Sequence, residues 1–292
     1  MSEDDFKPLS AARVAVLGLG LMGGSLALAL RGRCGEVTGH DINHATAASA
    51  LALGAIDRAV SLDEALRADL VVLAAPPRVI LAQLADLSRR PPPAQPTVLL
   101  DLGSTKGAIT AAMAALPPGW HPLGGHPMCG KEVSGLAQAE AELFRDKLFI
   151  LTPLPRAAPG AWRLAEALVQ ALGARLLLLP PDRHDTVVAL ASHLPYAVAA
   201  LLVRVALASP DPALWAVASS GFRDTSRLAA SDLTMMVDIL LTNRAAVRQA
   251  LADYRAELDT LAGLVAQGDE DALRAFLEPP QQRRRLLFPP AE

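Results

Sequence analysis

The feature that most constrains the fold is a glycine-rich turn that lies between a strand pattern and a helix pattern near the N-terminus. The segment VAVLGLGLMGGS starts with valine and leucine, passes through Gly18, Gly20 and Gly23, and enters a helical pattern at Leu21 and Met22. In such a turn the first glycine allows a tight bend, the second lets a phosphate approach the backbone, and the third permits close helix packing. The helix N-terminus adds N–H donors and positive potential. The segment therefore predicts a dinucleotide-binding site.

An acidic residue after the next strand pattern indicates which dinucleotide would bind. Asp41 ends the segment EVTGHD, close to where an acidic residue bonds the adenosine ribose hydroxyls. A carboxylate at this position repels a 2′-phosphate, so the sequence favours NAD over NADP. Pro76, in the loop after the strand pattern LVVLAA, is a further candidate for the wall of the cofactor crevice.

Alternating strand and helix patterns continue along the first part of the chain. Short runs rich in valine and leucine are separated by alanine-rich helical stretches, which predicts an α/β N-terminal Rossmann-like domain with a mostly parallel, doubly wound sheet. After Pro180 and Pro181 the strand patterns stop and long amphipathic helices follow, so we expect an all-α C-terminal domain. The predicted domains are 11–180 and 181–285.

Composition narrows the range of partners. A net charge of −3 gives no broad field that would attract nucleic acid or an anionic membrane. The two cysteines form no disulfide framework, which favours the cytoplasm. The N-terminus lacks a secretory signal, and the longest apolar region, 194–208, is interrupted by Pro195 and Arg204 and falls short of a spanning helix. We expect a small-molecule partner and no membrane segment.

Two further loops, 101–107 and 124–132, each follow a strand pattern and can face the same crevice. His126 in the second loop can accept a proton near neutral pH, as oxidation of a hydroxyl group requires, although it could instead only cap a turn. Ser104 could orient His126. Lys106 either supports its loop or attracts an anionic substrate. The histidines and cysteines match no compact zinc pattern, so no metal is expected.

Five ordered motifs resemble the prephenate and arogenate dehydrogenases: GLGLMGGS, DLGSTKG, GGHPMCG, SHLP and SSGFRDTSRLA. The resemblance covers about residues 12–265. It implies a Rossmann-like domain joined to a helical dimerisation domain, and hence a homodimer with the active site between the two domains. The implied activity is NAD-dependent oxidative decarboxylation of prephenate or arogenate, on the route to tyrosine.

The resemblance also implies roles for individual residues. His126 matches the catalytic histidine of the family, Ser104 its hydrogen-bonding serine, and Arg227 its arginine for the substrate carboxylate. The guanidinium group presents a planar fork that suits a carboxylate. His193 matches a position near the site, and it could equally be a core histidine.

Two departures leave the substrate open. Many prephenate-using members carry a second histidine where this chain has Tyr196. Glu132 matches an acidic site residue of some prephenate-using members, and it could also favour the amino group of arogenate.

Two other functions compete with this interpretation. A β-hydroxyacid dehydrogenase would be expected to use a lysine of the helical domain, but residues 181–292 contain no lysine. A non-enzymatic NAD-sensing regulatory protein would bind the dinucleotide without turning over either cyclohexadienyl substrate.

Overall fold

The computed structural model describes residues 6–131 and 133–289. The chain forms two compact units, of which the first ends at Arg244 and the second begins at Ala245. The first unit contains the whole sheet and the helices that follow it directly. The division of the chain at residue 181 stays a prediction.

An eight-stranded sheet forms the centre of the first unit, in the order β3-β2-β1-β4-β5-β6-β7-β8. The strands are β1 (Arg13–Leu17), β2 (Glu36–His40), β3 (Arg58–Ala59), β4 (Leu70–Leu73), β5 (Thr97–Asp101), β6 (Trp120–Pro127), β7 (Leu148–Thr152) and β8 (Arg175–Leu178). All neighbours are parallel except β6 and β7, which pair antiparallel. The predicted fold class is therefore confirmed.

Helices cover both faces of this sheet. The helices of the first unit are α1 (Leu21–Leu30), α2 (His44–Ala52), α3 (Leu62–Ala65), α4 (Pro77–Leu87), α5 (Gly107–Ala114), α6 (Pro159–Ala171), α7 (Pro181–Val188), α8 (Leu194–Leu207), α9 (Ala213–Val217), α10 (Ser220–Ser226) and α11 (Leu233–Thr242). Alternate residues of β4 enter different cores, because Leu70 packs with α1 and α6, whereas Val71 packs with α4 and α5. Burial on both faces explains why the central strands β1, β4 and β5 are largely apolar.

A long helix follows the sheet and differs from the expectation. A five-residue π-helical turn, Ala189–His193, joins α7 to α8, so that the helix runs from Pro181 to Leu207 over 27 residues. The mean hydropathy of its most apolar 18-residue window is 1.9, which together with its length would suffice to cross a membrane, and 22% of that window is buried. The expectation that this region is too short was wrong. An apolar, exposed helix also fits a surface that a partner chain covers.

The second unit consists of helix. It holds nearly all of α12 (Arg244–Gln267) and the whole of α13 (Glu270–Leu287). Asp269 caps α13 by accepting a hydrogen bond from the backbone N–H of Ala272 at 3.0 Å. No described residue of α13 is buried.

Candidate active site

The turn between β1 and α1 has the geometry that the sequence predicts. Gly18 has a φ of +97°, and a Cβ there would lie 2.5 Å from the carbonyl oxygen of Ala74 at the end of β4. A Cβ at Gly23 would overlap the carbonyl oxygen of Gly18. Both positions therefore require glycine.

The same turn leaves space for a ligand. A Cβ at Gly20 would meet nothing within 4 Å, and no side chain caps the N-terminus of α1, which begins at Leu21 and Met22. An uncapped helix N-terminus beside open backbone is suited to the pyrophosphate of a dinucleotide. The residues present therefore fit the dinucleotide that the sequence predicts.

Asp41 lies beside this turn, just after β2. Its Oδ2 accepts a hydrogen bond from the backbone N–H of Leu19, and its Oδ1 accepts one from Asn43, both at 2.8 Å. The half-buried carboxylate is therefore fixed against the glycine turn. Contact with a ribose at this position stays a prediction.

A buried ion pair holds the loop after β5. The side chains of Lys106 and Asp101 are both fully buried, and Lys106 Nζ donates a hydrogen bond to Asp101 Oδ2. The carboxylate also accepts backbone N–H bonds from Gly103 at 2.8 Å and from Gly125 of β6 at 3.2 Å. Burial raises the pKa of Asp101 and lowers that of Lys106, while their mutual attraction opposes both shifts. Of the two roles left open for Lys106, the geometry favours support of the loop.

Asp185 connects α7 to the same loop. Its carboxylate accepts the backbone N–H groups of Lys106 at 2.7 Å and Gly107 at 2.8 Å, at the start of α5. A carboxylate at a helix N-terminus is favoured by the helix dipole and satisfies donors that have no partner within the helix. The helix that follows the sheet is thereby attached to the loop that contains Ser104.

The helix α11 contacts the loops at this edge as well. Thr242 and Thr105 are joined by a hydrogen bond between their hydroxyl groups at 2.9 Å. Arg78 at the start of α4 forms an ion pair with Asp238, with 3.1 Å between Nε and Oδ1. These contacts bring helices after the sheet to the carboxyl ends of β4 and β5.

His126 lies in β6 and bonds a second histidine that the sequence did not single out. Its Nδ1 is 2.9 Å from Nε2 of His184, and the Nδ1 of His184 is 2.8 Å from Oδ1 of Asp185. The relative exposure of His126 is 9% and that of His184 is 0%. The sequence suggested Ser104 as a residue that could orient His126, and the observed bond to its ring comes from His184 of α7.

Electrostatics keep the ring of His126 neutral. Burial lowers its pKa well below the ordinary value, and repulsion by a protonated His184, by Lys106 and by a protonated His193 lowers it further. A neutral imidazole has one nitrogen with a free lone pair and can accept a proton there. This property suits a general base in a site from which water is excluded.

His193 is a further buried histidine, at the end of the π-helical turn. Its Nδ1 lies 3.2 Å from Nδ2 of Asn243, which also donates a hydrogen bond to the backbone carbonyl of Asp185 at 2.7 Å. Burial lowers the pKa of His193 to about 4, against the attraction of Asp185. Asn243 was not predicted, because an asparagine after an apolar helix is an ordinary helix end in sequence.

The other predicted site residues lie in varied surroundings. Ser104 is partly exposed in the loop before α5, and its hydroxyl has no hydrogen bond to any described residue. Pro76 caps α4 at the end of β4. Arg227 is exposed at the start of the 3-10 segment Arg227–Ala230, and Tyr196 is half-buried in α8. Glu132 lies outside the described residues.

The cysteines and possible metal ligands give no second site. Burial raises the pKa of the Cys129 thiol to about 11, which disfavours the thiolate that a nucleophile would need. Over 6–131 and 133–289, no three or more His, Cys, Asp or Glu residues are grouped so that they could hold a metal ion.

Comparisons with known proteins identify the family of this chain. The family description "Prephenate dehydrogenase, nucleotide-binding domain" matches residues 26–178, and "Prephenate dehydrogenase, dimerization domain" matches residues 180–279. A prephenate dehydrogenase from Bacillus subtilis is 34% identical over 274 residues, which are 91% of this chain and 73% of the relative.

Solved structures resemble this chain over nearly its whole length. A prephenate dehydrogenase from Aquifex aeolicus, in complex with hydroxyphenyl propionate and NAD+, superposes with a TM-score of 0.88 at 31% identity, covering 97% of this chain and 100% of the other. The Synechocystis arogenate dehydrogenase has a TM-score of 0.81 at 30% identity and covers 94% of this chain and 100% of its own. The chain therefore belongs to the prephenate dehydrogenase family.

Proposed function

We propose that this chain oxidatively decarboxylates prephenate, arogenate or both, with NAD as the hydride acceptor, on the route to tyrosine. Family membership supports the reaction class. The observation that carries the chemistry is the buried, neutral imidazole of His126 at the sheet edge where the glycine turn also lies. Parallel sheets place ligands at this edge.

The chain's own residues perform the proton and binding steps. His126 accepts the proton of the ring hydroxyl at its free ring nitrogen while the carbonyl forms, and the guanidinium of Arg227 binds a substrate carboxylate. The ring carboxylate leaves as CO2, and aromatisation of the ring drives the reaction. When bound, NAD supplies the nicotinamide ring that takes the hydride. Loss of CO2 sends its electron pair to the carbonyl oxygen as the ring becomes aromatic, and that oxygen takes its proton back from His126, which is only 9% exposed.

Other residues complete the proposed site. The glycine turn and Asp41 hold the dinucleotide, with Pro76 at the crevice wall. The hydroxyl of Ser104, which bonds no described residue, is available to substrate or cofactor. His193, Tyr196 and Glu132 belong to the substrate side of the same proposal, because of their positions in the family motifs.

We assign residues 11–180 to cofactor binding and 181–285 to substrate binding and dimerisation, as the sequence predicts. A homodimer accounts for the exposed apolar helix 181–207, because the family match over 180–279 is to a dimerization domain. Partner contact would cover Val205 and Leu207, whose side chains are 72% and 68% exposed. The sparse use of cysteine supports a cytoplasmic location.

Turnover of purified protein with NAD tests the proposal. We expect NADH to form, measured by its absorbance, with prephenate or arogenate, and less reduction when NADP replaces NAD. The substrate that is turned over faster then shows which of the two the enzyme prefers. Binding of NAD without turnover of either substrate would refute the proposal and support an NAD-sensing protein.

A further inference from the structure

His184 connects the candidate base His126 to the carboxylate of Asp185 through hydrogen bonds. It lies between His126 of β6 and Asp185 of its own helix, with bonds of 2.9 Å and 2.8 Å to its two ring nitrogens. The two imidazole rings are tilted by 60°, with 5.1 Å between their centroids. Both ring nitrogens of His184 are therefore engaged, one by a candidate base and one by a carboxylate.

The carboxylate fixes where the protons of this chain reside. Burial would raise the pKa of Asp185, but the hydrogen bond from His184 and the backbone donors of Lys106 and Gly107 hold it below its ordinary value. An ionised carboxylate only accepts hydrogen bonds, so Nδ1 of His184 carries the hydrogen. The Nε2 of a neutral His184 is then an acceptor, and Nδ1 of His126 must donate to it. This leaves the lone pair of His126 on Nε2.

We propose that His184 is a positioning residue, which holds His126 in the tautomer that has a free Nε2 and stabilises its charged form through Asp185. This proposal rests on the proposed function for its consequence in catalysis, but the tautomer itself does not depend on it. When Nε2 of His126 takes a proton, the resulting imidazolium donates from Nδ1 to His184. The carboxylate of Asp185 offsets the new buried charge, as a carboxylate does for the histidine of a serine-protease triad.

The anchoring of Asp185 supports this role. Its two oxygens also accept the N–H groups at the start of α5, so neither the carboxylate nor the helix that carries His184 can rotate freely. A Cβ at Gly107 would lie 3.0 Å from Asp185 Oδ2. A protonated His184, Lys106 and a protonated His193 would each repel a charge on His126, whereas Asp185 attracts a charge on His193.

Three variants test the role in catalysis. His184→Leu removes the acceptor for His126, so we expect kcat to fall about 100-fold with little change in KM. His184→Gln can present its amide oxygen to Nδ1 of His126, so it should recover about tenfold of that loss. The matched control is His121→Leu, which removes another buried histidine of β6, one that packs against Phe6, and should leave kcat unchanged.

A spectroscopic measurement tests the tautomer without turnover. The chain has six histidines, so ring nitrogens labelled with 15N can be assigned one variant at a time. We expect His126 of the parent protein to carry its hydrogen on Nδ1, and His184→Leu to change that signal where His121→Leu does not.

The outcomes separate the two proposals. If the parent turns over substrate but kcat of both His184 variants stays within about twofold, the positioning role is overturned. A hydrogen on Nε2 of His126 in the parent protein would overturn it as well. If the parent turns over neither substrate, the proposed function fails, and the nitrogen spectra still decide the tautomer.

Discussion

Two loops at the same edge of the sheet use their helix N-termini in opposite ways. The turn after β1 leaves the start of α1 without a side-chain cap, with open space beside Gly20. The loop after β5 gives the first N–H groups of α5 to the carboxylate of Asp185. The first helix is thus available to an anionic ligand, and the second is used internally to fix the residues around His126. In the proposed function, equivalent topological positions therefore serve cofactor binding in one case and preorganisation in the other.

The largest expected effect comes from breaking the ion pair beneath the second loop. Lys106→Met leaves the fully buried Asp101 either unpaired or protonated, so the free energy of unfolding should fall by about 3–5 kcal/mol. Denaturant unfolding measures this change. Lys147→Met, which alters an exposed lysine, should change stability by less than about 0.5 kcal/mol. Equal effects of the two variants would contradict the importance of the buried pair.

The buried His193 should make the stability of the chain depend on pH. The pKa of His193 is 6.5 when unperturbed and about 4 in the folded chain, so the unfolded state binds the proton first as the pH falls. Stability should therefore be lost between these values, by up to about 3 kcal/mol. His193→Gln should reduce the slope of unfolding free energy against pH in this window. An unchanged slope would show that His193 is not the group responsible.

The open turn can be tested with two alanine substitutions. Gly23→Ala places a methyl group against Gly18, so it should lower both thermal stability and NAD affinity. Gly20→Ala meets no neighbour within 4 Å, so we expect an unchanged melting temperature but NAD binding weaker by about tenfold. Calorimetric titration with NAD measures the affinity of both variants, and thermal unfolding measures their melting temperatures. Full affinity in Gly20→Ala would argue against a pyrophosphate at this turn.

The smallest effect concerns cofactor preference. Asp41→Asn removes the charge that opposes a 2′-phosphate, so the ratio of NAD to NADP affinity should fall by about tenfold. An amide oxygen can still accept the bond from Leu19, which keeps the turn in place. Asp63→Asn changes an exposed carboxylate and should leave the ratio unaltered. The assignment of Asp41 fails if both variants behave alike.

The two loops also differ in how far the sequence revealed them. The glycine turn and Asp41 are local patterns, in which each residue acts within one strand and the helix or turn that follows it. The bond between His126 and His184 joins residues 58 positions apart and depends on how α7 packs against β6. The available signal was the adjacent pair His184 and Asp185, in a helix that begins at the second of two prolines. No periodicity distinguishes such a pair from an exposed helix face.

The length of the helix after the sheet was also underestimated from the sequence, for a similar reason. Pro195 looked like an interruption, but the helix continues through it, because it follows directly on the π-helical turn, where the regular hydrogen-bond pattern is already altered. The π-helical turn before it carries the chain from α7 into α8. Turns of this kind have no simple sequence pattern and occur frequently at functional sites.

The most direct test of the account is turnover by His126→Asn beside the parent enzyme, at saturating NAD and substrate. We predict that kcat falls by about 10²–10⁴, the range for loss of a general base, while the Kd for NAD is unchanged because the glycine turn is intact. An Asn variant that retains kcat within about twofold would contradict the central claim that His126 accepts the proton.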